Sequence, residues 1–343
     1  MVNAGSSYEK GVPKTRQHRS NKKETSLAKD KYWQYRNLCI GALLRDANHG
    51  VSTGSLAPEE GAKAIRRAFE LGVNFYDTAK SYGTYPHLAL GLQGIARDQL
   101  VIASKSHARS YTKMKADVEE CLREMSLEHI DIFHLHLVPS AENLAARRGA
   151  LECLLELRDR GLVRVIGAST HTIAGVRALN SEPAIDVVFP VLNQRGLGIT
   201  DGTLDGMLEA LSESKQQGKF IYAMKPLGGG HLYQEVEDSL KYLRELPLCD
   251  AVAVGMKDES EVEMNVAIFE GRTITEEIRQ RVHALKRRLK IYDFLCTGCG
   301  LCIDECDQEA LSLVDNKAVV DESKCILCGY CAAVCPDYVI RVV

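Results

Sequence analysis

With 343 residues, 45% of them hydrophobic and 26% charged, the chain has the composition of a soluble globular protein with room for one large domain and one small one. No apolar run approaches the roughly 20 residues that span a bilayer, and charges stand where a secretory signal would have its hydrophobic stretch, so a cytoplasmic protein with no membrane partner is expected. A formal net charge of −3 gives no support to a nucleic-acid partner.

Residues 1–31 hold eight Lys or Arg against three acids and show no periodic apolar pattern, which reads as a disordered, solvated basic tail. Beyond it, short β-rich runs alternate with amphipathic stretches. The runs are 38–43, 73–76, 100–104, 131–136, 163–168, 187–192, 220–224 and 251–255. Helical patterns between them include 58–71, 111–125, 144–160 and 204–215. Eight such pairs over about 240 residues predict a (β/α)8 TIM barrel spanning 32–272. An open doubly wound sheet would show a Gly-rich fingerprint after its first strand, and none follows Leu43. Next, Thr273-x-x-Glu276 reads as a capping box that starts a basic helix running to about Lys290, a linker over 273–292.

Of the twelve cysteines, eight lie within 296–335, and in a cytosolic chain of this length regular cysteine spacing points to metal rather than disulfides. Cys296, Cys299, Cys302 and Cys306 form C-x2-C-x2-C-x3-C, and Cys325, Cys328, Cys331 and Cys335 repeat it before Pro336. This spacing suits two cubane 4Fe-4S clusters, whereas zinc usually shows two separated C-x2-C pairs. The first three cysteines of each run should hold one cluster while the fourth crosses to the other. One cluster would take Cys296, Cys299, Cys302 and Cys335, and the second Cys325, Cys328, Cys331 and Cys306. Residues 293–343 resemble bacterial two-cluster ferredoxins, implying a small α+β module. Asp307 departs from the proline that often follows the fourth cysteine. The remaining four, Cys39, Cys121, Cys153 and Cys249, read as buried small apolar residues.

The barrel has its own chemistry-bearing pattern. In 72–83, a short apolar run delivers Asp77 and then Tyr82 to its far end; the runs ending near Lys105 and His136 do the same. Residues at the C-terminal ends of barrel strands carry catalysis. Lys105 can favour the phenolate of Tyr82 and so make it a better acid, with Asp77 holding the lysine charged. Tyr82 could then protonate a carbonyl oxygen that His136 orients and polarises. His134, two residues earlier and on the same face, reads as a core histidine.

Asp-Thr-Ala-x-x-Tyr-Gly, the strand-ending lysine, Leu-His, Arg164-Val165-Ile166-Gly167-Ala168-Ser169, Asn193, Pro226-Leu227-Gly228 and Asn265 together resemble the aldo-keto reductase family over roughly 35–270. The resemblance implies reduction of a small carbonyl compound, or oxidation of an alcohol, with NADPH or NADH. It also implies nucleotide contacts at Ser169, Asn193, Gly228, Lys257 and Asn265. Three positions depart from the family. Phe189 stands where a glutamine commonly binds the nicotinamide amide, Met224 replaces a stacking tyrosine, and Glu261 aligns with an arginine that grips the 2′-phosphate. A carboxylate at 261 would repel phosphate, with Lys257 a candidate to compensate. Hydride carries two electrons and each cluster one, so three readings follow. Ordinary hydride chemistry could run beside clusters that are structural or serve a redox partner protein. Alternatively, the clusters feed a barrel that no longer uses NAD(P)H, or the chain is a non-catalytic electron-transfer or docking subunit.

Overall fold

The computed structural model describes residues 38–41 and 57–343; the basic tail and most of the first predicted strand–helix connection lie outside them. Eight parallel strands form the large domain: β1 (Leu38–Gly41), β2 (Phe75–Asp77), β3 (Val101–Ser106), β4 (Ile130–Leu135), β5 (Val163–Thr170), β6 (Val187–Pro190), β7 (Phe220–Met224) and β8 (Ala251–Gly255). β1 pairs with both β2 and β8, closing the barrel. Strand alternation divides the core in two. Phe75, Val101, Ala103, Ile132, Val165, Val187, Phe189, Tyr222, Ala251 and Ala253 fill the interior, while Tyr76, Ile102, Phe133, Ile166, Val188, Ile221 and Val252 face the surrounding helices. Each large apolar side chain buried this way contributes about 1.5–3 kcal/mol.

Hydroxyl caps start several of these helices. Ser110, Thr172 and Thr203 accept from the backbone amides of Lys113, Gly175 and Gly206, at the heads of Tyr111–Glu124, Ile173–Asn180 and Leu204–Gln216. The stretch 144–160, expected as one helix, is two, Ala141–Ala145 and Arg148–Asp159. The break falls at Arg147, whose buried guanidinium donates to the carbonyls of His136 (2.7 Å) and Leu137 (3.1 Å) and so ties the helix joint to the end of β4.

The basic stretch after the barrel also differs from expectation. The cap is Thr275, whose hydroxyl accepts from Ile278, not Thr273, and the helix Glu276–His283 ends well before Lys290. Leu289–Ile291 is instead a strand, β9, because its alternating Leu-Lys-Ile can bury Leu289 against the small module. That module adds the hairpin β10 (Leu311–Val314) and β11 (Lys317–Val320), and a last strand, β12 (Ile340–Val342), antiparallel to β9. Leu289, Leu311, Ala318, Ala332, Val339, Ile340 and Val342 form its core with Cys302 and Cys331.

The module sits on the barrel face where the strands end. A Cβ at Gly198 would fall 2.7 Å from the Tyr338 ring, one at Gly229 2.6 Å from Arg341, and one at Gly230 2.0 Å from the carbonyl oxygen of Val342. His231 Nε2–H donates to the carbonyl of Ile340 across the same seam, at 3.2 Å. Only glycine allows so close an approach with positive φ. Among the described residues no helix is long and apolar enough to cross a membrane.

Candidate active site and cluster centres

Asp77 closes β2 and Lys105 lies near the end of β3, and alternation turns both into the barrel mouth. Both are buried, at 3% and 1% exposure, so their charges must be met locally. Lys105 Nζ donates to Asp77 Oδ2 and to the carbonyl of Thr78, the latter at 2.7 Å. The other carboxylate oxygen accepts from the Tyr222 hydroxyl at 3.0 Å. With its one proton so used, Tyr222 accepts from His134 Nε2 at 2.6 Å, which fixes the histidine tautomer. Room for His134 is made by Gly167 on the neighbouring strand, where a Cβ would fall 2.3 Å from Nδ1. Burial pushes the Asp77 carboxyl above its usual range while Lys105 and Tyr222 pull it back. Burial and the nearby Lys105 hold His134 well below the usual imidazole value.

Tyr82 ends a short 3-10 turn, Lys80–Tyr82, that Gly83 leaves with φ +67°. Its ring centroid lies 5.0 Å from Lys105 Nζ and meets the His136 ring edge-on at 5.7 Å. His136 follows β4 and stacks on His107 at 4.0 Å. Burial, then His107, then Lys105 hold His136 well below its ordinary value, so it is neutral at pH 7 and able to donate rather than carry charge. All four residues expected at this rim, Asp77, Tyr82, Lys105 and His136, therefore surround one point. Tyr222 and His107 were not anticipated; strand alternation places Tyr222 inward, but only barrel closure brings it to Asp77.

Of the five positions that the resemblance offers to a nucleotide, Ser169, Asn193 and Gly228 are engaged within the protein, whereas Asn265 keeps a buried oxygen unpaired. Ser169, buried, accepts the Leu137 amide at 2.9 Å. Asn193, also buried, donates to the carbonyls of Leu197 (2.8 Å) and Lys225 (3.3 Å), while its Oδ1 takes the amides of Leu197 (2.9 Å) and Arg195 (3.2 Å). Its amide is spent on folding its own loop. Gly228 opens the turn Gly228–Gly230 that lies against Arg341 and the Val342 backbone. The Lys257 amide donates to Glu261, whose other oxygen pairs with Arg287 at 3.2 Å, so the carboxylate at 261 is neutralised within the protein. Asn265 is buried on Glu259–Glu270, with Oδ1 lacking a hydrogen-bond partner in the structure. Phe189 covers Lys105, its centroid 5.1 Å from Nζ. A nicotinamide nucleotide laid across Asn193 and Gly228–Gly230 would have to displace these internal contacts.

The cysteines fit iron–sulfur clusters. Cys296, Cys299, Cys302 and Cys335 line one cavity of the module, with Gly298, Gly300, Val339 and Ile340. Cys306, Cys325, Cys328 and Cys331 line a second, with Leu311, Leu327 and Gly329. This is the crossed grouping expected from the spacing. Backbone amides of Ala318, Ala310 and Val339 point at the sulfurs of Cys296, Cys306 and Cys335, at 3.5, 3.4 and 3.5 Å, the kind of donor that tunes cluster potential. Burial, then the neighbouring thiols, push Cys331 up to about 12 and raise Cys302 as well, so these two thiols ionise more readily beside a cation.

Residues 37–245 match the aldo/keto reductase family, and residues 288–336 match the 4Fe-4S dicluster domain. The chain is 28% identical over 196 residues to an aldo-keto reductase of Mycolicibacterium paratuberculosis (strain ATCC BAA-968 / K-10), an alignment covering 54% of this chain and 63% of that one. It is 25% identical over 185 residues to the methylglyoxal reductase DkgA of Escherichia coli O157:H7, covering 51% and 66%. It thus spans less than two thirds of either relative. A putative aldo-keto reductase of Pseudomonas aeruginosa superposes with a TM-score of 0.57 at 23% identity, over 68% of this chain and 90% of that one, a likeness of fold. With a family match over more than half its length, joined to a C-terminal dicluster domain, this chain belongs to the aldo/keto reductase family of oxidoreductases.

Proposed function

We propose that the barrel interconverts a small carbonyl compound and its alcohol, with Tyr82 as the proton donor to the carbonyl oxygen. The observation that carries this reading is the placement of the Lys105 ammonium, held by Asp77, 5.0 Å from the Tyr82 ring while neutral His136 stands edge-on to that ring. The ammonium favours phenolate, so the proton leaves Tyr82 more readily. His136 has the geometry to donate to the same oxygen and hold it toward Tyr82. The Tyr222–Asp77 bond keeps the carboxylate aimed at Lys105.

Reduction consumes two electrons and two protons, one passing from Tyr82 to the carbonyl oxygen and the other from solvent to the carbonyl carbon. The two four-cysteine cavities are suited to 4Fe-4S clusters, which when bound pass single electrons, and a redox partner protein would supply them. A nucleotide hydride donor, NADPH or NADH, rests on the resemblance alone, and the engagement of Asn193 and Gly228–Gly230 weighs against it.

The test uses anaerobic, cluster-loaded protein, a panel of small carbonyl compounds and a reduced viologen dye as electron donor. Tyr82→Phe should lower turnover by about 10²–10⁴-fold. Unaltered turnover would refute the assignment. In parallel, calorimetric titration with NADPH and with NADH should give no binding; tight binding of either would restore the hydride reading.

A further inference from the structure

The barrel and the iron–sulfur module meet around Tyr338. Above its ring lie Lys225 Nζ, 4.7 Å from the centroid, and the Arg341 guanidinium carbon, 3.9 Å away. His171 approaches edge-on at 6.5 Å, and its Nε2 is 3.1 Å from Lys225 Nζ. Lys225 comes from the end of β7, while Tyr338 and Arg341 come from the module. Neither cation forms a salt bridge among the described residues: Arg341 donates to the carbonyl of Ile340 at 2.8 Å, and Lys225 has His171. The Tyr338 hydroxyl is buried without a hydrogen-bond partner. Lys225 and Tyr338 also hold left-handed backbone, φ +57° and +48°, which side chains adopt rarely.

Two half-buried cations over the ring of a buried tyrosine whose hydroxyl is unpaired, with no acid paired to either, make a place that favours an anion. Burial, then Arg341, holds Lys225 well below its ordinary value, and burial, then Lys225 and Arg341, does the same to His171. The site also touches the candidate chemistry. Arg341 lies close enough to Tyr82 for their charges to interact, and His171 close enough to His136.

We propose that Lys225, Arg341 and the Tyr338 hydroxyl form a seat for the carboxylate of a small 2-oxo or 2-hydroxy acid, shared between barrel and module. The guanidinium fork suits the two oxygens of a carboxylate, and Lys225 adds a point charge. The assignment names a substrate class for the Tyr82 site and rests on that reading for the role of the carbonyl. A 2-oxo or 2-hydroxy acid is the class in which a carboxylate stands beside the reacting carbon, so one small molecule carries both groups.

Binding, rather than turnover, tests the seat. Anaerobic, cluster-loaded protein is titrated calorimetrically with pyruvate, its uncharged methyl ester and inorganic phosphate. Pyruvate should bind at least ten-fold more tightly than the ester or phosphate. Lys225→Met and Arg341→Gln should each weaken it at least ten-fold, with Arg341→Lys restoring part. Tyr82→Phe should bind pyruvate normally, so loss of turnover in that variant and loss of binding in these report on separate claims. Equal binding of acid and ester would overturn the seat, as would phosphate competing on equal terms. Lys225→Met lies on the barrel and also guards against misfolding. If Lys225 serves a ligand, removing it leaves the melting temperature of the unliganded protein unchanged or higher. A fall would mark a structural staple and overturn the proposal. So would an Arg341→Gln variant whose only change is the reduction potential of the adjacent cluster, followed by EPR.

Discussion

Replacing Lys105 by Met tests the buried pair directly. The substitution leaves the Asp77 carboxylate, 3% exposed, with Tyr222 as its remaining hydroxyl donor. Removing one partner of a buried pair costs about 3–5 kcal/mol. At roughly 2 °C per kcal/mol for a chain of this size, the melting temperature should fall by roughly 6–10 °C. The deficit should depend on pH with a definite sign. Burial holds the folded-state Asp77 pKa above its unfolded value even against Lys105 and Tyr222, and losing the ammonium raises it further, so the folded variant binds more protons and its stability falls as pH rises through that raised value. The gap to the wild type should therefore be wider at pH 8 than at pH 6. Adding Asp77→Asn removes the stranded charge and should recover most of the loss at both pH values. Far-UV circular dichroism melts of cluster-loaded protein read all three. A single variant as stable as the wild type, or a deficit that is pH-independent and not relieved by Asp77→Asn, would show that Asp77 and Lys105 are not the coupled pair described.

His231 should make the seam between barrel and module sensitive to acid. Burial pushes its pKa down to about 4, so the unfolded chain binds more protons between about pH 6.5 and 4. Its contribution is fully present above pH 6.5 and is lost as pH falls, by about 1 kcal/mol at pH 5.5. His231→Gln should lose less stability than the wild type between pH 7.5 and 5.5; identical losses would refute this. Gly230→Ala should destabilise far more than Gly161→Ala. Both glycines have positive φ, but a Cβ at 161 meets nothing within 4 Å while one at 230 strikes the Val342 carbonyl. The control should cost about 1 kcal/mol, and the seam variant should also expose 286–293 to limited proteolysis. Equal melting temperatures would mean that the module does not rest on this loop.

What could be read from the chain alone follows the range of each interaction. The eight-fold alternation and the cysteine spacing are local, and the strand ends that deliver Asp77, Lys105 and His136 follow from period-two patterning, so the barrel, the crossed cysteine grouping and the tetrad's placement were legible. Alternation gives the face of a side chain but not what stands opposite once the sheet closes. Tyr222 was therefore unremarkable in the sequence, yet it joins His134 to Asp77 across 145 positions of chain. The strand at Leu289–Ile291 was missed for a related reason: its basic neighbours suit a solvated helix face, and only pairing with Ile340–Val342 at the far end of the module makes it extended. Tyr338 and Arg341 were hidden twice over, lying just past a cysteine motif strong enough to explain the whole segment. Their position above Lys225 bears on the tension between hydride and single-electron carriers. The same strand that lies against Gly228–Gly230 carries Arg341 toward Tyr82, and Arg341 also lies within charge range of Cys335. One short segment thus packs on the loop that the resemblance offers to a nucleotide and sets Tyr338 against Lys225 of the barrel.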